Sequence, residues 1–62
     1  MSVKEKIASF GRPLTVPELA EALGMKADTI YRHAKKGTIP NFRLGMSVRF
    51  EPRALCEWFD KQ

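Results

Sequence analysis

Basic side chains are concentrated in the middle of the sequence, in a stretch that contains no acid. Between residues 29 and 50 there is no Asp or Glu, and the chain carries five cations: Arg32, Lys35, Lys36, Arg43 and Arg49. Lysine and arginine neutralise phosphate groups and release their counterions. Because the formal net charge of the 62 residues is +4, this stretch predicts a polyanionic partner, either nucleic acid or an anionic membrane surface.

Residues suited to catalysis or metal binding lack the partners that such chemistry needs. His33 has no cysteine, second histidine or paired carboxylates at ligand spacing, and we expect it at the edge of the core. Cys56 is the single cysteine, so an intrachain disulfide is excluded, and we expect a small buried hydrophobe there. A glycine-rich phosphate loop and a nucleophile beside a base are also missing. We therefore expect no enzymatic activity, no cofactor and no metal site.

Three short helices are predicted in the first part of the chain. Ser2 and Glu5 have the spacing of a capping box, as do Thr15 and Glu18, and such boxes mark helix starts. A third helix is predicted over Ala27–Lys36, where apolar residues recur at helical spacing. The first helix should end at Gly11, because Arg12 precedes Pro13 and is pushed toward extended geometry. Gly24 and Gly37 are placed to end the second and third helices by a left-handed stop.

The second and third helices have the spacing of a helix-turn-helix unit, in which two short helices cross steeply. The crossing needs a small residue at the contact, a glycine in the turn and an apolar residue that packs back. Ala20, Gly24 and Ile30 meet these needs at separations of four and six residues. Neighbouring apolar positions are filled by Leu19, Leu23 and Met25.

Beyond Pro40 the pattern changes from helical to alternating. Phe42-Arg43-Leu44 and Val48-Arg49-Phe50 alternate apolar and basic residues around Gly45-Met46-Ser47. This pattern predicts a β-hairpin with an apolar underside and an arginine on the outside of each strand. Pro52 can open a last helix at its first turn. Its apolar residues Leu55, Trp58 and Phe59 should close the core.

The third helix should project its polar face away from the body, because Ile30 and Ala34 face inward. Such a helix fits the major groove of B-DNA, which is about 12 Å wide. Basic residues can pair with guanine, methyl groups can touch thymine, and Asp28 can accept from cytosine, although we favour a helix-stabilising role for this first-turn acid. The outward positions also include Lys26, Ala27, Tyr31, Arg32 and Lys35, with Thr29 at the margin and Lys36 near the backbone.

The stretch from Leu14 to Phe59 resembles the excisionase-type, MerR-like winged helix-turn-helix domains. In these, an "LT..E.A..LG....TIYR....G.IP" segment precedes a hairpin wing, "R.G..VRF", and a helix that ends in tryptophan. The resemblance implies a mainly α fold with a two-stranded wing, and DNA binding through the third helix. It also implies that the wing near Gly45 lies along the adjacent backbone or minor groove, and Thr29, Tyr31 and Arg32 fall on the "TIYR" motif.

Two positions depart from the family pattern. Lys26 stands where a serine or threonine usually caps the third helix, and Met46-Ser47 replaces a basic wing tip. The second departure favours Arg43 and Arg49 over the wing tip as phosphate contacts, with Ser47 beside them.

These observations lead to one main hypothesis about function and one alternative. We expect a single winged helix-turn-helix domain over residues 1–62, with the helix-turn-helix at 15–37, the wing at 41–51 and the C-terminal helix at 52–60. It should bind double-stranded DNA with sequence preference, as an excisionase-like architectural factor or a small transcription regulator of a mobile element. The rival is a protein-interaction module that docks on a recombinase or another DNA-bound partner through the C-terminal helix.

The same hypothesis predicts the protein's partners and its location in the cell. MerR-like regulators dimerise through a long helix beyond the domain, and because this sequence ends at Gln62 we expect a monomer in free solution. A recombinase or a second copy on an adjacent DNA site is a candidate further partner. We expect a cytoplasmic, nucleoid-associated location, and no apolar run approaches the roughly 20 residues of a membrane span. Binding to a membrane surface is not expected either, because the basic third helix lacks a broad apolar face.

Overall fold

Four α-helices and one two-stranded hairpin make up residues 2–62, the part of the chain that the computed structural model describes. Three helices precede the hairpin strands β1 and β2, and one helix follows them. This order, with an antiparallel hairpin after a helix-turn-helix, is a winged helix-turn-helix fold, as the sequence predicts. The elements are α1 (Val3–Ala8), α2 (Val16–Leu23), α3 (Ala27–Lys36), β1 (Phe42–Leu44), β2 (Ser47–Arg49) and α4 (Pro52–Asp60).

The predicted capping boxes of α1 and α2 are confirmed. In α2 the Thr15 hydroxyl accepts from the Glu18 N–H at 3.3 Å, and the Glu18 carboxylate accepts from the Thr15 N–H at 2.9 Å. Arg12 forms an ion pair with the same carboxylate. The start of α3 differs, because its N-cap residue Lys26 makes no side-chain capping bond. The first-turn N–H groups of α3 therefore receive no side-chain cap, and the Thr29 N–H donates to the Lys26 carbonyl at 3.1 Å instead.

Glycine ends two of the helices, as predicted. Gly24 and Gly37 lie at φ +67° and +77°, the left-handed conformation that a side chain opposes. The predicted end of α1 at Gly11 is wrong, since the helix ends at Ala8. The hydroxyl of Ser9 donates to the Lys6 carbonyl at 2.7 Å, and such a local bond competes with continuation of the helix.

Buried residues of α2 and α3 form the centre of the core. Leu19 and Ile30 are fully buried, and Ala20 is buried between the two helices. The Met25 N–H donates to the Ala20 carbonyl at 2.9 Å across the turn. Met25 itself is 39% exposed, so it fills the predicted apolar position beside the crossing less completely than Leu19. It follows the left-handed glycine, and its side chain lies over the surface.

The hairpin forms as predicted, but its two faces differ from the prediction. Opposite residues of an antiparallel pair share a face, and Leu44 pairs with Ser47, so the turn contains only Gly45 and Met46. A three-residue loop would have paired Leu44 with Val48, and a shift of one residue moves every side chain of a strand to the other face. The common apolar underside and the outward position of both arginines are therefore wrong. The full register is Phe42 with Arg49, Arg43 with Val48 and Leu44 with Ser47.

The last helix begins at Pro52 and covers the core from one side, packing against α1. Leu55 is fully buried, whereas Trp58 and Phe59 are half-buried and pack against the core with ring centroids 5.0 Å apart. Cys56 is also only half-buried. The prediction of a buried Cys56 is wrong, because its position on α4 leaves the thiol at the edge of the α1 contact, 3.9 Å from the Lys4 carbonyl.

Glu18 of the α2 capping box should make the folded protein less stable at acid pH. The hydrogen bond from Arg12, together with the Thr15 N–H, lowers the pKa of Glu18 from 4.5 to about 2. Between these values the unfolded chain binds more protons than the folded one, so stability falls as the pH drops from about 5 to about 2. Glu18→Gln retains an amide oxygen for the cap but does not titrate, and it should flatten this decline in urea unfolding. Arg12→Gln should flatten it in part, and an unaltered decline in both variants contradicts the assignment.

The uncapped start of α3 predicts a stabilising substitution. Lys26 has the extended backbone of an N-cap residue, φ −78° and ψ 146°, which suits serine. Lys26→Ser should exceed Lys26→Ala in free energy of unfolding by about 0.5–2 kcal/mol, since serine supplies the missing acceptor. The alanine variant is the matched control because it removes the same charge. Equal urea midpoints for the two variants would show that the cap does not form.

Candidate nucleic-acid interface

The third helix is anchored at three points, which set the direction of its outer face. Ile30 is fully buried and Ala34 is half-buried against the core. At the C-terminal end, the side-chain amide of Asn41 donates to the Ala34 carbonyl at 3.1 Å and to the Ile39 carbonyl at 2.8 Å. Asn41 therefore ties the end of α3 to the segment that leads into the hairpin.

The outer face of α3 is basic and exposed. Tyr31 is 52% exposed, and Arg32, Lys35 and Lys36 are exposed as well. The Arg32 guanidinium donates to the Thr29 hydroxyl at 3.3 Å, an interaction one helical turn long that holds the arginine along the helix. Asp28 is the one acid on α3, and it lies in the first turn, where a carboxylate stabilises the helix dipole.

The cations of α3 and the hairpin have no acidic partners within residues 2–62. The ion pairs there are Lys4 with Asp60 and Arg12 with Glu18. Both lie away from α3 and the hairpin, and Glu18 and Glu21 line a depression between α1 and α2 together with Lys6. The acids of both ion pairs therefore lie away from the exposed cations of α3 and β1.

A groove of about 250 Å³ separates α3 from the hairpin. We call it the α3–hairpin groove. Lys35 lies on the helical side of the groove and Arg43 on its hairpin side. Because Arg43 pairs with Val48, these two hairpin residues share the face that borders the groove. Two predicted site residues from separate elements are thus brought to one surface. The lining includes Tyr31, Lys35, Asn41, Arg43, Met46 and Val48.

Ser47 and Arg49 lie on the other face of the hairpin. The register places them with Phe42 and Leu44, away from Arg43. Arg49 is half-buried, and its guanidinium donates to the Val48 carbonyl at 3.0 Å. The structure therefore does not bring these two predicted residues together with the groove.

The remaining predicted residues lie along α3. Lys26 is exposed at the N-cap, Ala27 and Thr29 are half-buried in the first turn, and Lys36 is exposed in the last turn. Asn41 and Met46 are groove residues that the sequence reasoning did not assign to the site. The Asn41 contact joins residues seven apart in different elements, and no local spacing signals it. Met46 departs from the family pattern at the wing tip, and that departure is the signal that could have identified it.

His33 is occupied by a structural contact. Its Nδ1 lies 2.8 Å from the Thr38 hydroxyl, which also donates to the His33 carbonyl at 3.2 Å. It is half-buried, as expected for the edge of the core. Across residues 2–62, no three His, Cys, Asp or Glu side chains gather as a metal site would require. None of the helices described there is long and apolar enough to cross a membrane.

Comparison with known proteins bears on these elements. A family model described as a helix-turn-helix domain matches residues 13–62, which include α2, α3, the hairpin and α4. Comparison with curated proteins and with solved structures gives no match. Because the matched range covers most of the 62 residues, the chain belongs to the helix-turn-helix domain family, a family of DNA-binding domains.

Proposed function

We propose that this protein binds double-stranded DNA with sequence preference, with α3 in the major groove and the hairpin along the adjacent backbone. One observation carries the proposal. Four exposed cations of α3 and β1 lie outside both ion pairs of residues 2–62, and the acids of those pairs lie elsewhere; the four are Arg32, Lys35, Lys36 and Arg43. Unpaired cations on one exposed surface are the electrostatic footprint of a nucleic-acid partner.

The roles on α3 follow from position along the helix. Lys26, Arg32 and Lys35 are exposed where a helix in the major groove faces base edges, and basic side chains there bind guanine O6 and N7. Ala27 and Thr29 are half-buried, and their methyl groups suit contact with a thymine methyl. Tyr31 borders the α3–hairpin groove, where its hydroxyl can reach a phosphate.

The proposed phosphate contacts are the last turn of α3 and the hairpin. Lys36 lies in the last turn of α3, and Arg43 faces the α3–hairpin groove, so both suit the backbone beside the major groove. Arg49 and Ser47 stay proposed phosphate contacts with less geometric support, because they lie on the far face of the hairpin. To reach DNA, Arg49 must exchange its bond to the Val48 carbonyl for a phosphate.

The biological role that fits best is an excisionase-like architectural factor or a small transcription regulator of a mobile element. Support comes from the resemblance of the helix-turn-helix and wing segments to excisionase-type, MerR-like domains. A single recognition helix reads only a few base pairs, so tight and selective binding requires additional contacts. A second copy on an adjacent site, or a DNA-bound recombinase, would provide them. The monomeric state in free solution stays a prediction.

The rival role, docking on a protein through α4, has less support. Trp58 and Phe59 are the large apolar residues that such a surface would use, and both are half-buried against the core. Arg32→Ala separates the two roles, because it should weaken DNA binding and leave binding to a protein partner unchanged.

The proposal is tested by the salt dependence of binding to a random-sequence 20-base-pair duplex. Three to five phosphate contacts by Lys or Arg should give a slope of about −3 to −5 in log affinity against log salt, and Lys36→Ala should reduce its magnitude by about 0.9. Lys6→Ala is the matched control, because it removes the same charge from α1, beside Glu18 and Glu21. It should leave the slope nearly unchanged.

The role of Arg32 requires a site selected from a random pool with the wild-type protein. Loss of one base contact costs about 1–3 kcal/mol of discrimination, so Arg32→Ala should lower the ratio of selected-site to random-site affinity about tenfold. Its salt slope should change little. A wild-type slope near zero, or no binding at low salt, would overturn DNA binding, and an equal loss of slope for Lys6→Ala and Lys36→Ala would overturn the assigned surface.

A further inference from the structure

The tip of the hairpin is the most exposed apolar part of the described chain. Met46 is 94% exposed and Leu44 is 62% exposed. No charged residue lies between Leu44 and Val48, so the tip itself has no group that binds phosphate. The nearest cations of the hairpin are Arg43 and Arg49, each three residues from Met46. The hairpin thus carries its charge on the strands and an apolar side chain at the end.

The tip is also narrow and fixed. Leu44 and Ser47 are paired, and Gly45, at φ +66°, takes the first central position of the two-residue turn, as a type II′ turn requires. Because Gly45 has no side chain, Met46 supplies all the side-chain bulk of the turn. The minor groove of B-DNA is about 6 Å wide, too narrow for a two-stranded ribbon but wide enough for one unbranched side chain.

Met46 belongs to the surface proposed to face DNA. Its side chain lines the α3–hairpin groove with Lys35 and Arg43. In the proposed complex, with α3 in the major groove, the hairpin crosses the neighbouring backbone, and the resemblance to winged helix-turn-helix domains implies that its tip lies toward the minor groove. Cations on the strands would then hold the flanking phosphates while the apolar tip meets the groove between them.

We propose that Met46 inserts into the minor groove as an apolar wedge, partly unstacks one base step and bends the duplex. The inference rests on the proposed DNA binding and extends it to the shape of the bound DNA. Apolar side chains that enter the minor groove, methionine among them, unstack base steps and kink the duplex toward the major groove. Pyrimidine–purine steps such as TA and CA deform at least cost. The wing therefore selects a flexible step beside the bases that α3 reads.

The first test measures bending directly. A 30-base-pair duplex carrying the selected site, with donor and acceptor dyes at its ends and 2-aminopurine at the step under the wing, is titrated with the wild-type protein. Energy transfer and 2-aminopurine fluorescence should both rise on binding. Met46→Ala should abolish both increases and weaken binding about tenfold, in line with loss of one buried apolar side chain. Its salt slope should match that of the wild type, because no charge is removed.

Two further variants keep the test specific. Leu44→Ala removes an exposed apolar side chain from the opposite face of the hairpin, and it should bend DNA like the wild type. Met46→Lys should lose the bend while steepening the salt slope by about 0.9 through a new phosphate contact. All three variants should unfold at the wild-type temperature, since the altered side chains lie outside the core.

The outcomes separate this inference from the proposed function. No binding by the wild type at low salt overturns DNA binding, and the wedge with it. Binding without bending or unstacking overturns the wedge alone. An unchanged bend with Met46→Ala, or a loss of bend with Leu44→Ala equal to that with Met46→Ala, overturns the assignment to Met46. Weaker binding after replacement of the flexible step by a stiff A-tract would support it.

Discussion

The main-chain bridge between Leu14 and Phe50 fixes where the two proposed DNA-binding elements stand relative to each other. Each residue donates to the other's carbonyl, at 2.8 and 3.0 Å, and both side chains are fully buried. Leu14 leads into α2, and Phe50 follows directly on β2. The bridge therefore joins the hairpin to the start of the helix-turn-helix. Since buried main-chain groups are costly to leave unpaired, the hairpin cannot swing away from α3 without breaking two buried hydrogen bonds.

The charges of the molecule are arranged around this frame. Glu18 serves as both a capping residue and the partner of Arg12, and Asp60 holds Lys4 where α4 meets α1. These two acids hold structural ion pairs near α1. The ends of α3 are stabilised by charges that complement its helix dipole. Asp28 lies at the positive end of its dipole, and basic residues lie at the negative end. The cations in the last turn of α3 thus stabilise the helix through its dipole, and their exposed charges remain available to a polyanion.

The sequence predicts elements better than it predicts faces. Thr15, Gly24 and Gly37 act through bonds and backbone angles of their own segment, so α2 and α3 could be bounded closely. The hairpin could be predicted but its register could not, because three-residue strands contain too little alternation to fix their relative phase. The two-residue turn at Gly45 decides that phase, and it moves Arg43 onto the α3–hairpin groove and Arg49 away from it. Contacts between elements, such as Asn41 with Ala34, carry no local signal.

The proposed interface has a cost for the free protein. A domain of about 60 residues buries only about 60% of the surface that its unfolded chain exposes, and nine buried residues form the core of the described residues 2–62. Clustered unpaired cations repel one another and destabilise the compact state, while an exposed Met46 adds nothing to the core. This destabilisation is offset by the two capping boxes, the Arg12–Glu18 ion pair and the Leu14–Phe50 bridge, which stabilise the folded chain. Phosphates along α3 would remove the repulsion, so the proposed binding would stabilise the folded chain through the same charges.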